Sequence, residues 1–113
     1  MQFALLIHDE EAKQLRPGDV EFGEMMAAYQ AFTEGVQKAG AMRAAGRFKP
    51  TSEAVTVRVL GGKAERTKGP FAATKEQLGG FYLLECKDLE EALGYAAQIP
   101  TAKRGCVEVR PLY

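Results

Sequence analysis

Residues 80–86 read GFYLLEC, and the fold turns on how this stretch is understood. Successive side chains of a strand leave on opposite faces, so Tyr82 and Leu84 point one way and Phe81 and Leu83 the other. Apolar residues on both sides suit a strand that is covered on both faces. Gln2–Ile7, QFALLI, repeats the pattern, with Phe3, Leu5 and Ile7 on one face and Ala4 and Leu6 on the other. His8-Asp9 ends it. Two such strands belong in the middle of one sheet.

The other elements fall around them. Pro17-Gly18-Asp19 opens a long helix with Asp19 as N-cap, and Glu21 and Glu24 place negative charge near its start. Phe22, Met25, Met26, Tyr29, Phe32 and Val36 recur at three- and four-residue steps and predict one buried stripe. Lys38 suits the helix end and Gly40 its left-handed stop. Met42–Arg47 is a weak, alanine-rich strand in which Gly46 marks a bulge or a close backbone approach. Ala54–Leu60, AVTVRVL, alternates, which predicts Val55, Val57 and Val59 inward and Thr56 and Arg58 outward. Gly61-Gly62 turns the chain into a return strand over Lys63–Thr67. Asp88 and Glu91 read as a capping box opening a short helix buried through Leu89, Ala92, Leu93, Ala96 and Ala97, and Pro100 blocks its continuation. Gly105–Arg110 is a last strand, with Val107 and Val109 opposite Cys106 and Glu108. The order β-α-β, hairpin, β-α-β predicts an α+β ferredoxin-like sandwich with an inserted β-hairpin.

The 113 residues suit one domain, 1–113. Fifteen basic residues balance fifteen acidic ones, which lacks the footprint of a nucleic-acid binder. No apolar run approaches the roughly 20 residues needed to span a bilayer, and the start, MQFALLIHDEE, turns acidic too early for a signal peptide. A cytoplasmic protein without membrane attachment is expected. Cys86 and Cys106 stand far apart, and His8 is the single histidine, so no zinc set, metal or cofactor is expected. Reduced, mostly buried thiols are the plain reading of the cysteines.

Two helices cover one face of a four-stranded sheet, yet both central strands are apolar on two faces. The open face measures about 300 Å² before side-chain relief. A homodimer packed face to face, closing a dimeric α+β barrel, covers it. The alternative is that the 55–67 hairpin folds back over it.

Residues 67–82, TKGPFAATKEQLGGFY, carry a family resemblance. Gly69-Pro70-Phe71 followed by Thr74-Lys75-Glu76-Gln77-Leu78-Gly79-Gly80-Phe81-Tyr82 resembles the DGPF-domain family of the YCII-related superfamily. Met26-Ala27-Ala28-Tyr29, Asp88-Leu89-Glu90-Glu91-Ala92 and Val107-Glu108-Val109-Arg110-Pro111 extend the likeness over nearly the whole chain. The resemblance implies a dimeric α+β barrel. It also implies two functional associations: YCII-type proteins are regarded as candidate enzymes using a His–Asp pair in a cleft, and some DGPF proteins accompany extracytoplasmic-function (ECF) sigma factors. Lys68 and Ala73 stand where the family has acidic residues, so no role passes to those two positions. The YCII-type histidine belongs to another segment, so its role is not carried to His8.

Among the residues that could carry chemistry, Lys68 and Lys75 bracket the Gly-Pro corner. They suggest a small anion site beside a short helical turn near Thr74, or solvated loop lysines with Glu76 paired to one of them. Pro70 fixes the corner, Phe71 anchors the loop on the core, and Gly79-Gly80 permits a bulge or close packing. His8 and Asp9 are the one histidine–carboxylate pair, and they form a dyad only if the strand ends at His8. Arg47 beside Gly46 is a cleft candidate. Arg58 and Arg110 read as solvated or paired across strands, and Met25-Met26 as core. Two functional readings follow, beside a third that the resemblance implies, a regulatory partner in an ECF sigma-factor system. One is a small-molecule-binding or accessory module whose cleft, lined by His8, Arg47, Phe71 and Lys75, takes a small anionic ligand. The other is a cofactor-free hydrolase, isomerase or oxygenase using His8 as base.

Overall fold

In the computed structural model, which describes residues 1–113, six strands and two helices alternate as expected. They are β1 (Gln2–Asp9), α1 (Val20–Lys38), β2 (Met42–Arg47), β3 (Val55–Leu60), β4 (Lys63–Lys68), β5 (Gln77–Glu85), α2 (Leu89–Gln98) and β6 (Cys106–Pro111). Four strands form one antiparallel sheet in the order β2-β5-β1-β6, and β3 and β4 form a separate two-stranded sheet. This is the ferredoxin-like arrangement, an antiparallel sheet with two helices against it. The two doubly apolar strands, β1 and β5, are indeed its centre.

The helices pack on the face formed by Phe3, Leu5, Ile7, Tyr82 and Leu84. Phe32 and Val36 of α1 and Ala92 and Ala96 of α2 close that core with Ile99 and Cys86. Phe32 sits edge-on to Tyr82 with ring centroids 5.0 Å apart. The other face, with Ala4, Leu6, Phe81 and Leu83 in its middle, has no helix on it; these residues are half-buried by their neighbours in the sheet and, at Phe81, by the Phe48 ring stacked on it at 5.9 Å.

Local chemistry explains the junctions. The Asp88 carboxylate accepts from the Glu91 amide at 2.9 Å, and the Glu91 carboxylate accepts from the Lys87 amide at 3.1 Å, a capping box displaced by one residue. Gly40 ends α1 at φ 74°. Gly61 and Gly62, at φ 58° and 79°, make the turn of the hairpin. The β1–β5 register slips between Ile7 and His8, where Gly79 is passed over, so the glycine pair marks a bulge. A Cβ on Gly46 would lie 2.8 Å from the Phe81 ring, which is the close approach expected there.

Six expectations are corrected. Of the expected α2 stripe only Ala92 and Ala96 are buried; Leu89 and Leu93 are 45% and 42% exposed and Ala97 is exposed, because only the alanine edge of this short helix meets the sheet. Val55, Val57 and Val59 do not point inward; they are 60%, 58% and 67% exposed, because the hairpin pairs only with itself and stands away from the core. For the same reason it does not roof the open sheet face. Asp19 does not cap α1: its carboxylate accepts instead from the Arg16 amide at 2.8 Å, closing the preceding turn. No helical turn forms near Thr74; the segment is a run of bends in which the Thr74 hydroxyl donates to the Glu76 carbonyl. Phe71 does not anchor the loop, since its side chain is 81% exposed.

Candidate functional site

The stripe of α1 meets the sheet only in its C-terminal half. Phe32 and Val36 are buried, whereas Phe22, Met25 and Tyr29 are half-buried and Met26 is exposed. The N-terminal half of the helix stands off, and a cavity of about 350 Å³ opens between it and the sheet. Ile7, Ala45, Gly80 and Tyr82 form the floor; Phe22, Met25, Met26 and Tyr29 form the helical wall. Met25 and Met26, expected in the core, therefore line a cavity, and their flexible side chains suit a wall that must adapt to an occupant.

Polar groups enter from three directions. Arg47 comes from the end of β2, Asp9 from the end of β1, and Thr101 and Arg104 from the turn after α2. Arg47 takes part in none of the ion pairs of the chain. The Asp9 carboxylate accepts from Gln14 Nε2 at 3.0 Å. Arg104 donates to the Lys13 carbonyl at 2.7 Å, tying the segment between β1 and α1 across the cavity. Glu11 pins the same segment from outside by accepting from the amide and hydroxyl of Thr51 at 2.9 and 3.0 Å. At the helical wall, Tyr29 Oη and Thr101 Oγ1 lie 2.5 Å apart. Burial raises the Tyr29 phenol above the ordinary tyrosine range, and the hydrogen bond from Thr101 offsets this only in part. Two guanidinium groups against one carboxylate make the lining net positive, with a hydroxyl pair that stays neutral.

The residues singled out from sequence separate into two groups. Asp9 and Arg47 meet in the cavity. His8 does not join them, because β1 continues through Asp9 and the two neighbouring side chains leave on opposite faces. The condition for a His8–Asp9 dyad is therefore not met. His8 lies on the open face, with Nε2 3.9 Å from Glu108 Oε1, directly across from Cys106 in the neighbouring strand. Cys106 is exposed, contrary to expectation, and donates to Glu76 Oε1 at 3.5 Å. Partial desolvation of the sulfur, first, then the hydrogen bond to Glu76 and the neighbouring carboxylates push its thiol up. Only Cys86 is buried as expected. Lys68 ends the exposed hairpin, and Lys75 reaches Glu10 at 3.8 Å; neither they nor Phe71 nor Glu76 line the cavity. Gln14, Tyr29, Thr101 and Arg104 were not singled out as site residues. Tyr29 alone gave a signal, as the polar-tipped member of an otherwise apolar helical stripe.

A ferredoxin-like sheet carrying a cationic, half-apolar cavity beneath its first helix is the class that this geometry defines. The chain belongs to the YCII-related domain family, whose model matches residues 1–113. It is 37% identical over 114 residues to an uncharacterised protein of Rhizobium meliloti, an alignment covering 99% of this chain and 92% of that one. Among solved structures it resembles the 5-chloro-2-hydroxyhydroquinone dehydrochlorinase of Burkholderia phenoliruptrix in complex with 2,5-dihydroxybenzoquinone. The TM-score is 0.53 at 19% identity, covering all of this chain and 94% of the other. No helix is long and apolar enough to cross a membrane.

Proposed function

We propose that the cavity beneath α1 binds a compact organic anion of about one ring in size, and that the DGPF-like chain does so as a homodimer joined through its open sheet faces. The observation that carries the binding reading is the convergence of Arg47 and Arg104 on a half-apolar cavity of about 350 Å³ whose lining has one carboxylate, Asp9. A cavity of about 150 Å³ suffices for benzene, so this one holds a ring with polar substituents. The apolar walls take the ring, the guanidinium groups take a carboxylate, phenolate or enolate, and the Tyr29–Thr101 pair meets a hydroxyl or carbonyl.

A second reading is enzymatic, and Asp9 favours it. It is the one carboxylate of the lining and is oriented by Gln14, which is how a proton acceptor beside an enolisable or phenolic ring is held. The resemblance in fold to a dehydrochlorinase is compatible with such chemistry, although fold alone does not carry function. Asp9 takes the base role in this reading, because His8 faces away from the cavity.

Thermal-shift measurements with hydroxybenzoates and 2,5-dihydroxybenzoquinone separate the readings. A ligand at a hundred times its Kd adds about 2.7 kcal/mol of stability. Arg47→Ala and Arg104→Ala should each weaken binding by about 1.5–3 kcal/mol, the worth of a hydrogen bond to a charged group. Stabilisation that is equal in wild type and both variants overturns the anion site. Asp9→Asn should leave binding in place and remove turnover if the enzymatic reading holds; turnover that survives it removes Asp9 as base.

A further inference from the structure

The β3–β4 hairpin is well paired over six residues in each strand, yet every residue but Thr56 in the two strands is exposed. A two-stranded hairpin is marginal in water unless something covers one face. Its register sorts the side chains: Val55, Val57, Val59 and Ala64 share one face with Arg66 and Lys68, and Thr56, Arg58, Leu60, Lys63, Glu65 and Thr67 occupy the other. The first face is an apolar strip with a basic margin. The molecule is flat, 48 × 40 × 19 Å, and the base of this arm is closed on itself by Gly69, whose amide donates to the Ala54 carbonyl at 2.7 Å and whose carbonyl accepts from the Thr56 hydroxyl at 2.8 Å.

We propose that the valine face of this arm docks on a second copy of the chain, each copy clasping the other across a two-fold axis. The proposal rests on the homodimer reading above and adds the element that holds it. Area is the first argument. The open sheet face offers about 300 Å², well short of the roughly 800 Å² per partner of a stable interface. One face of the arm spans about 200 Å². An exchanged arm counts twice for each copy, once donated and once received, which brings the buried area close to the standard size. Charge is the second argument: the strip carries Arg66 and Lys68, neither of which has an ion-pair partner within its own chain. A second copy supplies the cover that this strip lacks.

Sedimentation over a concentration series tests the clasp with wild type, a Val57→Asp/Val59→Asp double variant, and a chain in which residues 56–67 are replaced by a short Gly-Ser link. Val57 and Val59 are exposed within the chain, so the substitutions leave the fold of the subunit alone. The expected result is a dimer in wild type whose Kd rises about 30-fold or more in both altered chains. Amide exchange of residues 55–68 should also slow as the wild-type concentration rises through that Kd. A dimer equally tight in all three, or arm amides indifferent to concentration, overturns the clasp and leaves the sheet-face dimer standing. A wild-type chain that stays monomeric at tens of micromolar overturns both.

Discussion

Tyr29 shares a hydrogen bond with Thr101, a residue only 5% exposed, at the wall of the cavity. Its phenol titrates above the ordinary tyrosine value because burial disfavours the phenolate. A group whose folded pKa is raised holds its proton more tightly when folded. Its contribution to stability is therefore complete below the unfolded value of about 10 and is lost as the pH climbs through the folded one. Urea unfolding at pH 8 and near pH 11 should show a steeper alkaline loss in wild type than in Tyr29→Phe. At pH 8 the variant should be weaker by about 1 kcal/mol, the worth of the lost hydrogen bond. Equal alkaline losses in the two proteins would remove the titrating role of Tyr29. Gly105 is a second residue with a sharp consequence. A Cβ there would lie 2.0 Å from the His8 carbonyl oxygen and 2.9 Å from Asp9 Cα. The backbone of β1 cannot yield as a flexible side chain does, so Gly105→Ala should cost about 2 kcal/mol or more, read from the urea midpoint at an unchanged slope. A midpoint within error of wild type would mean that β1 and β6 separate more easily than their register implies.

Among the elements, the two helices differ in how they begin. The capping carboxylate of α2 is in place, with Asp88 accepting from the Glu91 amide, so Asp88→Ala should destabilise the chain by about 1 kcal/mol in denaturant unfolding. The corresponding change at Asp19 should act through the Arg16 turn and not through α1, since no capping bond is made there. The contrast reflects what local spacing can encode. Asp88 to Glu91 is a three-residue relation, complete within one turn, and it was legible in the sequence. Asp19 had an equally good local partner on its other side, and the pattern alone could not choose between them. The hairpin shows the same limit. Its strands, turn and register follow from alternation and two glycines, but the side on which the valines find cover is a relation between elements, and alternation says nothing about that.

At the level of the whole molecule, the candidate site arises where α1 leaves the sheet. Its wall was visible as a stripe, but a stripe that ends in core and a stripe that ends in a cavity have the same period. Asp9 and Arg47 were recognised as polar ends of strands, yet their meeting depends on β1 and β2 both flanking β5, a consequence of strand order. Arg104 and Thr101 come from the far end of the chain and join them only because β6 pairs with β1. The same pairing sets His8 across from Cys106, a neighbourhood that spacing in the chain gave no reason to expect. The sequence by itself determined the elements, the two central strands and the ferredoxin-like order, because alternation, helical period, glycines and caps are relations within a few residues. Only the tertiary structure decided which strand ends converge, where the first helix lifts away and which face is left bare, because those depend on contacts between residues tens of positions apart.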